Sequence, residues 1–171
     1  MSESRLRRVA AAGLVIGAVL GIAGTFAPSA SLRGLAWGLD GTALVVATAL
    51  LTIHHVGQRN DVLATGFLLF LVGEGLILSG AAMELVAGVP SFAAGVALWA
   101  ASLAVVSTSS LMPPLVRAVG FIASLLFAIV AAQIFSGKPL TPLSEPLPFF
   151  AYPIFAATLC GWAWVHYRRQ S

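Results

Sequence analysis

Glu74 is the residue in this chain whose chemistry is hardest to explain by placement alone. It stands inside the apolar run FLLFLVGEGLILSG at residues 67–80, twelve positions after Val62. On an α-helix that spacing is about 18 Å, past the middle of a hydrocarbon layer about 30 Å thick. A charged acid at such a depth costs about 2.5–3.5 kcal/mol on insertion scales, so a neutral, proton-carrying Glu74 is expected. Its neighbours one turn away are Phe70, Leu71, Ile77 and Leu78, all apolar, while Gly73 and Gly75 leave room for a second helix or a ligand. Intramembrane acids serve as proton relays and ligand sites. The structural alternative is a protonated carboxyl bonded to a hydroxyl or carbonyl of another helix.

A second polar group lies on one helical face, where Thr48, Thr52 and His55 follow one another at spacings of four and three. Ser102, Ser107, Thr108, Ser109, Ser110, Ser124 and His166 add polarity toward the same side. Together with Glu74 these residues suggest a proton or ligand site reached through a cytoplasm-facing vestibule. The competing reading is that each hydroxyl bonds the carbonyl four residues back, as Ser and Thr do in membrane helices.

His54, His55 and His166 are the available imidazoles, and a pair of them could ligate haem or a metal ion. No Cys-x-x-Cys-His, Glu-x-x-His or His-Glu-x-x-His spacing accompanies them, and they fall at helix ends. They are weak cofactor candidates; neither a cofactor nor a metal is expected. A phosphate loop, a nucleophile elbow and a paired-carboxylate motif are missing from the sequence too. Cys160 lies in an apolar run and reads as a structural thiol.

The elements that must position these residues follow from composition. Of 171 residues, 59% are apolar and 9% charged, with a formal net charge of +3. Soluble domains carry about 25% charge. The shortage excludes a soluble enzyme, a nucleic-acid-binding domain and a disulfide-stapled secreted scaffold. Apolar runs and breakers define six transmembrane helices over residues 9–27, 35–53, 62–83, 92–111, 115–135 and 149–166. The fold class is therefore all-α and polytopic, a single bundle over residues 1–171 arranged as three helical hairpins. Arg5, Arg7, Arg8, Arg59, Arg117, Arg168 and Arg169 lie on one side of that threading, with only Arg33 and Lys138 on the other. The excess puts both termini in the cytoplasm, in what reads as a bacterial inner membrane. The first helix is long enough to be kept rather than cleaved as a signal peptide.

The remaining charges have routine places in this threading. Asp40 and Asp61 suit helix N-termini, and Glu84 and Glu145 suit the outer surface. Trp37, Phe92, Phe149, Phe150 and Tyr152 read as aromatic anchors at the outer boundary, and Trp164 and Tyr167 at the inner one. Prolines at 139, 142, 146 and 148 predict an extended strap over the outer face.

Helices in lipid associate at small residues. Gly13, Gly17 and Gly21 form one such seam and Gly66, Gly73 and Gly80 another, with Ala93, Ala97 and Ala101 on the fourth helix. Inside one bundle they would join helices one, three and four; on the surface they would bind a second copy or a membrane-protein partner. Gly13, Gly66 and Gly120 recur at intervals of 53 and 54, a faint trace of repetition. The leading functional expectation is a non-enzymatic membrane protein acting through packing, as a self-associating bundle or an accessory subunit. The alternative is a proton-linked small-solute transporter or permeation unit centred on Glu74. A haem- or quinone-associated redox subunit is the third class. The bilayer is the one partner implied directly, and nucleic acid is not a partner.

Overall fold

A computed structural model describes residues 2–81, 83 and 85–168 of the chain; Glu84 and Arg169 lie outside the described residues. The regular structure is six helices: α1 Glu3–Thr25, α2 Ala30–Gly57, α3 Asp61–Ala81, α4 Val89–Thr108, α5 Pro114–Phe135 and α6 Ala151–Arg168. Helices α1 to α5 are each long and apolar enough to cross a membrane, which makes the chain an integral multi-pass membrane protein. Helix α6 has 18 residues. Large apolar side chains such as Val19, Leu35, Ile53, Leu115 and Leu125 point outward, as a lipid-facing surface requires.

Helix starts follow local chemistry. Pro28 and Ser29 stop α1 and begin α2, the Ser29 hydroxyl accepting from the Leu32 N–H at 3.2 Å. The α2 helix therefore starts five residues before the position expected from hydropathy. Between α2 and α3 the chain turns on Arg59, which takes φ 53°, and the Asn60 side chain caps α3 by accepting from the Leu63 N–H at 3.1 Å.

Two ends of the bundle can be distinguished. Glu3, the α2–α3 turn, the α4–α5 turn and the close of α6 share the termini end, where Gln58 Nε2 donates to Glu3 Oε1 at 2.9 Å. The other three connections share the far end, where Phe26 and Phe149 meet with ring centroids 5.8 Å apart.

Each helix packs on the next in sequence, and α6 returns to α1. The six helices thus close into a ring in which the pairs α1–α2, α3–α4 and α5–α6 are packed neighbours. The α3 glycine seam packs on α4 as expected, while the α1 seam faces α2 in place of α3 or α4. A methyl on Gly13 would meet the Ala43 carbonyl oxygen at 2.9 Å, and one on Gly17 would strike Leu44, both on α2. A methyl on Gly73 would meet the Gly95 carbonyl oxygen at 3.0 Å, and one on Gly80 the Ser91 Cβ at 3.0 Å, both on α4; Gly66 faces Val106 there as well. Helix α1 touches neither α3 nor α4, because the ring sets it beside α2 and α6. Gly120 faces Ser107, back toward α4, so the third glycine of the repeat is not used like the first two.

Hydroxyls add interhelix bonds at these seams. Ser102 donates to the Gly66 carbonyl and Ser124 to the Ala100 carbonyl, each at 2.7 Å. The proline segment forms turns where an extended strap was expected. The Ser144 hydroxyl accepts from the Thr141 N–H at 2.9 Å, Leu147 is buried, and the Tyr152 hydroxyl donates to the Pro142 carbonyl at 2.9 Å.

Candidate functional site

The axis of the ring is built by three helix faces. On α3 the face runs Leu63, Phe67, Phe70, Glu74 and Ile77; on α6 it runs Tyr152, Phe155, Leu159, Trp162 and His166. Both sets keep the alternating three- and four-residue spacing that holds side chains on one side of a helix. Helix α2 contributes Asp40, Gly41, Leu44, Thr48, Leu51 and His55.

Glu74 is 2% exposed and stands about 10 Å short of the far end of α3. Above it a cavity of about 470 Å³ extends toward the far end, lined among others by Arg33, Trp37, Asp40, Trp99, Tyr152 and Phe155. The cavity lies on the opposite side of Glu74 from the Thr48–Thr52–His55 face, and none of those three residues lines it. The cavity beside Glu74 is thus not reached along the Thr48–Thr52–His55 face. Thr48 donates to the Leu44 carbonyl at 2.7 Å and Thr52 to the Thr48 carbonyl at 2.8 Å, so both hydroxyls are consumed by their own helix.

Asp40 is the residue that sequence reasoning misplaced. It was expected as an N-terminal helix charge, yet α2 begins at Ala30, so Asp40 lies nearly three turns inside. It lines the same cavity as Glu74 and is close enough to act on it electrostatically. Two glycines make this approach feasible. A methyl on Gly21 would meet Asp40 Oδ2 at 2.9 Å, and a methyl on Gly41 would meet Glu74 Oε1 at 2.9 Å. Two signals could have found Asp40: the Pro28-Ser29 helix start, and glycines close by each acid (Gly38 and Gly41, Gly73 and Gly75).

Several polar atoms at this cavity have no hydrogen-bond partner among the described residues: Asp40 Oδ1, Glu74 Oε2, Trp99 Nε1 and Arg33 Nε. Trp99 faces the Glu74 carboxyl, but its Nε1 falls outside hydrogen-bond geometry. Buried polar groups are nearly always paired, so these four atoms are the chemically distinctive feature of the cavity. Arg33 is held at the rim, its Nη2 3.5 Å from the Ala27 carbonyl and its guanidinium 6.0 Å from the Trp37 ring. Trp37, Phe92 and Tyr152 turn inward to this cavity, which corrects their reading as lipid-boundary anchors. Phe149, Phe150, Trp164 and Tyr167 remain exposed.

The termini end carries a smaller cavity of about 290 Å³, lined by Glu3, Arg7, His55 and His166 among others. Here the structure brings together imidazoles 111 positions apart, with His55 Nε2 and His166 Nε2 at 3.1 Å. His166 Nδ1 lies 2.7 Å from the Trp162 carbonyl, which can only accept, so Nδ1 is the protonated nitrogen of that ring. His55 and His166 lie in the last turns of α2 and α6, as expected, but are buried at 4% and 3% exposure where frayed ends were expected. His54 Nδ1 is 3.5 Å from Glu3 Oε1. The two Nε2 atoms touch directly, so a porphyrin between them would need the pair to open. Among the described residues no three His, Cys, Asp or Glu side chains converge as a metal-ligand group. Cys160 is exposed on α6, away from both cavities.

Between the cavities lies a column of rings. Phe67 stacks on His55 with centroids 5.6 Å apart and meets Trp162 edge-on at 5.3 Å. Phe70 meets Trp162 at 5.9 Å, Trp99 at 5.9 Å and Phe155 at 5.7 Å. Phe67, Phe70 and Trp162 are each fully buried. Compared with protein-family models, with curated proteins and with solved structures, the chain matches none.

Proposed function

We propose that this chain is a small-solute transporter or permeation unit that binds a compact organic cation in the far-end cavity, in exchange for a proton. The observation that carries the reading is the meeting of Asp40 and Glu74 from different helices inside one aromatic-walled cavity. Two carboxyls facing each other in a low-dielectric space cannot both hold charge without a counter-cation, so a proton and a cationic ligand compete for them. Trp37 and Trp99 line the same cavity, and an ammonium set against an indole gains about 0.5–2 kcal/mol. A volume of about 470 Å³ lies within the usual range for a small-molecule site.

In this reading six helices span the bilayer, α6 included, with both termini in the cytoplasm, and the acid cavity opens to the outside. The arginine excess at the termini end supports that orientation. Action by self-association or as an accessory subunit draws less support, because the glycine seams that suggested it are covered by α2 and α4 of the same chain.

The test is equilibrium binding of benzyltrimethylammonium to the purified protein in detergent, followed by tryptophan fluorescence, against benzenesulfonate as an anion of similar size. Saturable binding of the cation alone, lost in the Asp40→Asn, Glu74→Gln double variant, is the expected result. No saturable cation binding by the wild type would remove this reading.

A further inference from the structure

We infer that the buried His55–His166 pair is a second proton site on the same axis, with Phe67, Phe70 and Trp162 as the barrier that separates it from the acid cavity. The inference rests on the cation-exchange reading and adds where the proton goes. Three observations carry it, and each is geometric.

The first is alignment. The two cavities enter from opposite ends of one ring, and the ladder from His55 through Phe67, Trp162 and Phe70 to Trp99 is continuous at centroid separations of 5.3–5.9 Å. Along α3, Leu63 borders the lower cavity and Glu74 the upper, a rise of about 16 Å for eleven residues.

The second is an orphan donor inside the barrier. Trp162 is completely buried, yet its Nε1–H has no hydrogen-bond partner among the described residues. A dry hydrophobic plug gains nothing from such a group, which costs about 1–3 kcal/mol when unpaired. A plug that wets when it opens gives the indole N–H a water to bond.

The third is the chemistry of the pair. His166 Nδ1–H donates to the Trp162 carbonyl, so in the neutral pair His166 Nε2 accepts and His55 Nε2–H donates. The neutral pair therefore holds two N–H protons, and a third makes it a single cation shared by two rings. The transfer balances simply. The O–H bond of a protonated Glu74 or Asp40 breaks, the proton crosses on water while the barrier is open, and an N–H bond forms on the pair. The charged and titratable groups facing the pair are Glu3 and Arg7 from α1 and His54 from α2; α3, the α4–α5 turn and α6 present only uncharged cavity-lining groups besides His166 itself. Glu3 supplies the counter-charge and Arg7 favours onward release of the proton. The Nδ1–H bond to the Trp162 carbonyl fixes the His166 ring on its own helix and leaves Nε2 for His55.

The test uses the full chain in phospholipid vesicles with a trapped pH dye, potassium and valinomycin to clamp the potential, and benzyltrimethylammonium as the probe. The wild type is expected to move protons in response to a probe gradient. The His55→Gln, His166→Gln double variant should lose at least tenfold of that flux while its probe Kd in detergent stays within twofold of wild type, which also shows that it has folded. Phe67→Ala should raise probe-independent proton flux at least tenfold by thinning the barrier. Wild-type flux in the double histidine variant, or no proton movement by a wild type that binds the probe, overturns the inference and leaves the cation site standing. Absence of probe binding in the wild type overturns the cation site instead.

Discussion

The two ends of the ring hold polar groups by opposite strategies. At the termini end, the histidines satisfy one another and a backbone carbonyl at 3.1 and 2.7 Å, with Glu3 and Gln58 bonded nearby at 2.9 Å. At the far end, Asp40, Glu74 and Trp99 share a cavity of about 470 Å³ and leave hydrogen-bonding atoms unused. The first arrangement pairs its imidazoles with protein groups, and Arg7 Nε beside them is left without a partner among the described residues. The second leaves both of its acids with an unpaired oxygen among the described residues. A preformed cavity with unspent polar atoms is what a ligand site needs, because the energy of those bonds is then gained on binding and not on folding. The aromatic column keeps the two environments apart, and that separation gives the comparison its meaning.

The most damaging single change should be Phe70→Ala. The ring is fully buried against Trp99, Phe155 and Trp162. Its removal should cost about 3–5 kcal/mol, read as a fall in the thermal unfolding temperature in detergent, and should join the cavities. A stable, normally partitioned variant would break the distinction between the ends. Next comes the Asp40→Asn, Glu74→Gln pair, which keeps shape and removes charge. It should weaken benzyltrimethylammonium binding at least about 100-fold, close to 2.7 kcal/mol, in the same titration where histidine variants change it little. Equal losses at both ends would erase the contrast.

A smaller effect is expected at the seam that supports the acid cavity. Gly73→Ala places a methyl 3.0 Å from the Gly95 carbonyl oxygen and should destabilise by about 1–3 kcal/mol. Gly75→Ala, with open space around it, should stay within about 0.5 kcal/mol of wild type. Thermal unfolding of the two single variants side by side measures the difference. The smallest effect should come from Thr52→Ala, about 0.5 kcal/mol or less with unchanged probe affinity, because that hydroxyl bonds only its own helix. A tenfold loss of affinity there would restore the vestibule at the termini end.

Much of the site could be read before the fold, and its gaps have identifiable causes. Glu74 stood out because no helix end or loop explains an acid so far into an apolar run. Asp40 did not stand out, because a helix start taken from hydropathy at residue 35 made it look like a terminal charge. The true start at Ala30 is set by Pro28 and the Ser29 cap, a local signal that hydropathy does not weigh. Thr48, Thr52 and His55 were correctly put on one face, but a shared face says nothing about what the hydroxyls bond. The pairing of His55 with His166 spans 111 positions and leaves no mark in the sequence.

What the sequence determined by itself is the helical, membrane-embedded character of the chain, the helix-forming stretches and the oddity of one deep acid. Those follow from charge scarcity, from the need of every backbone group in lipid to find a partner, and from the length of the apolar runs. The tertiary structure alone decided that the helices close into a ring, that α1 lies on α2 and α6, that Asp40 joins Glu74, and that the cavity opens at the far end. In water, apolarity would have marked the inward faces. In a bilayer lipid and protein interior are equally apolar, so periodicity tells which residues share a face and not whether that face meets lipid, a neighbouring helix or the axis.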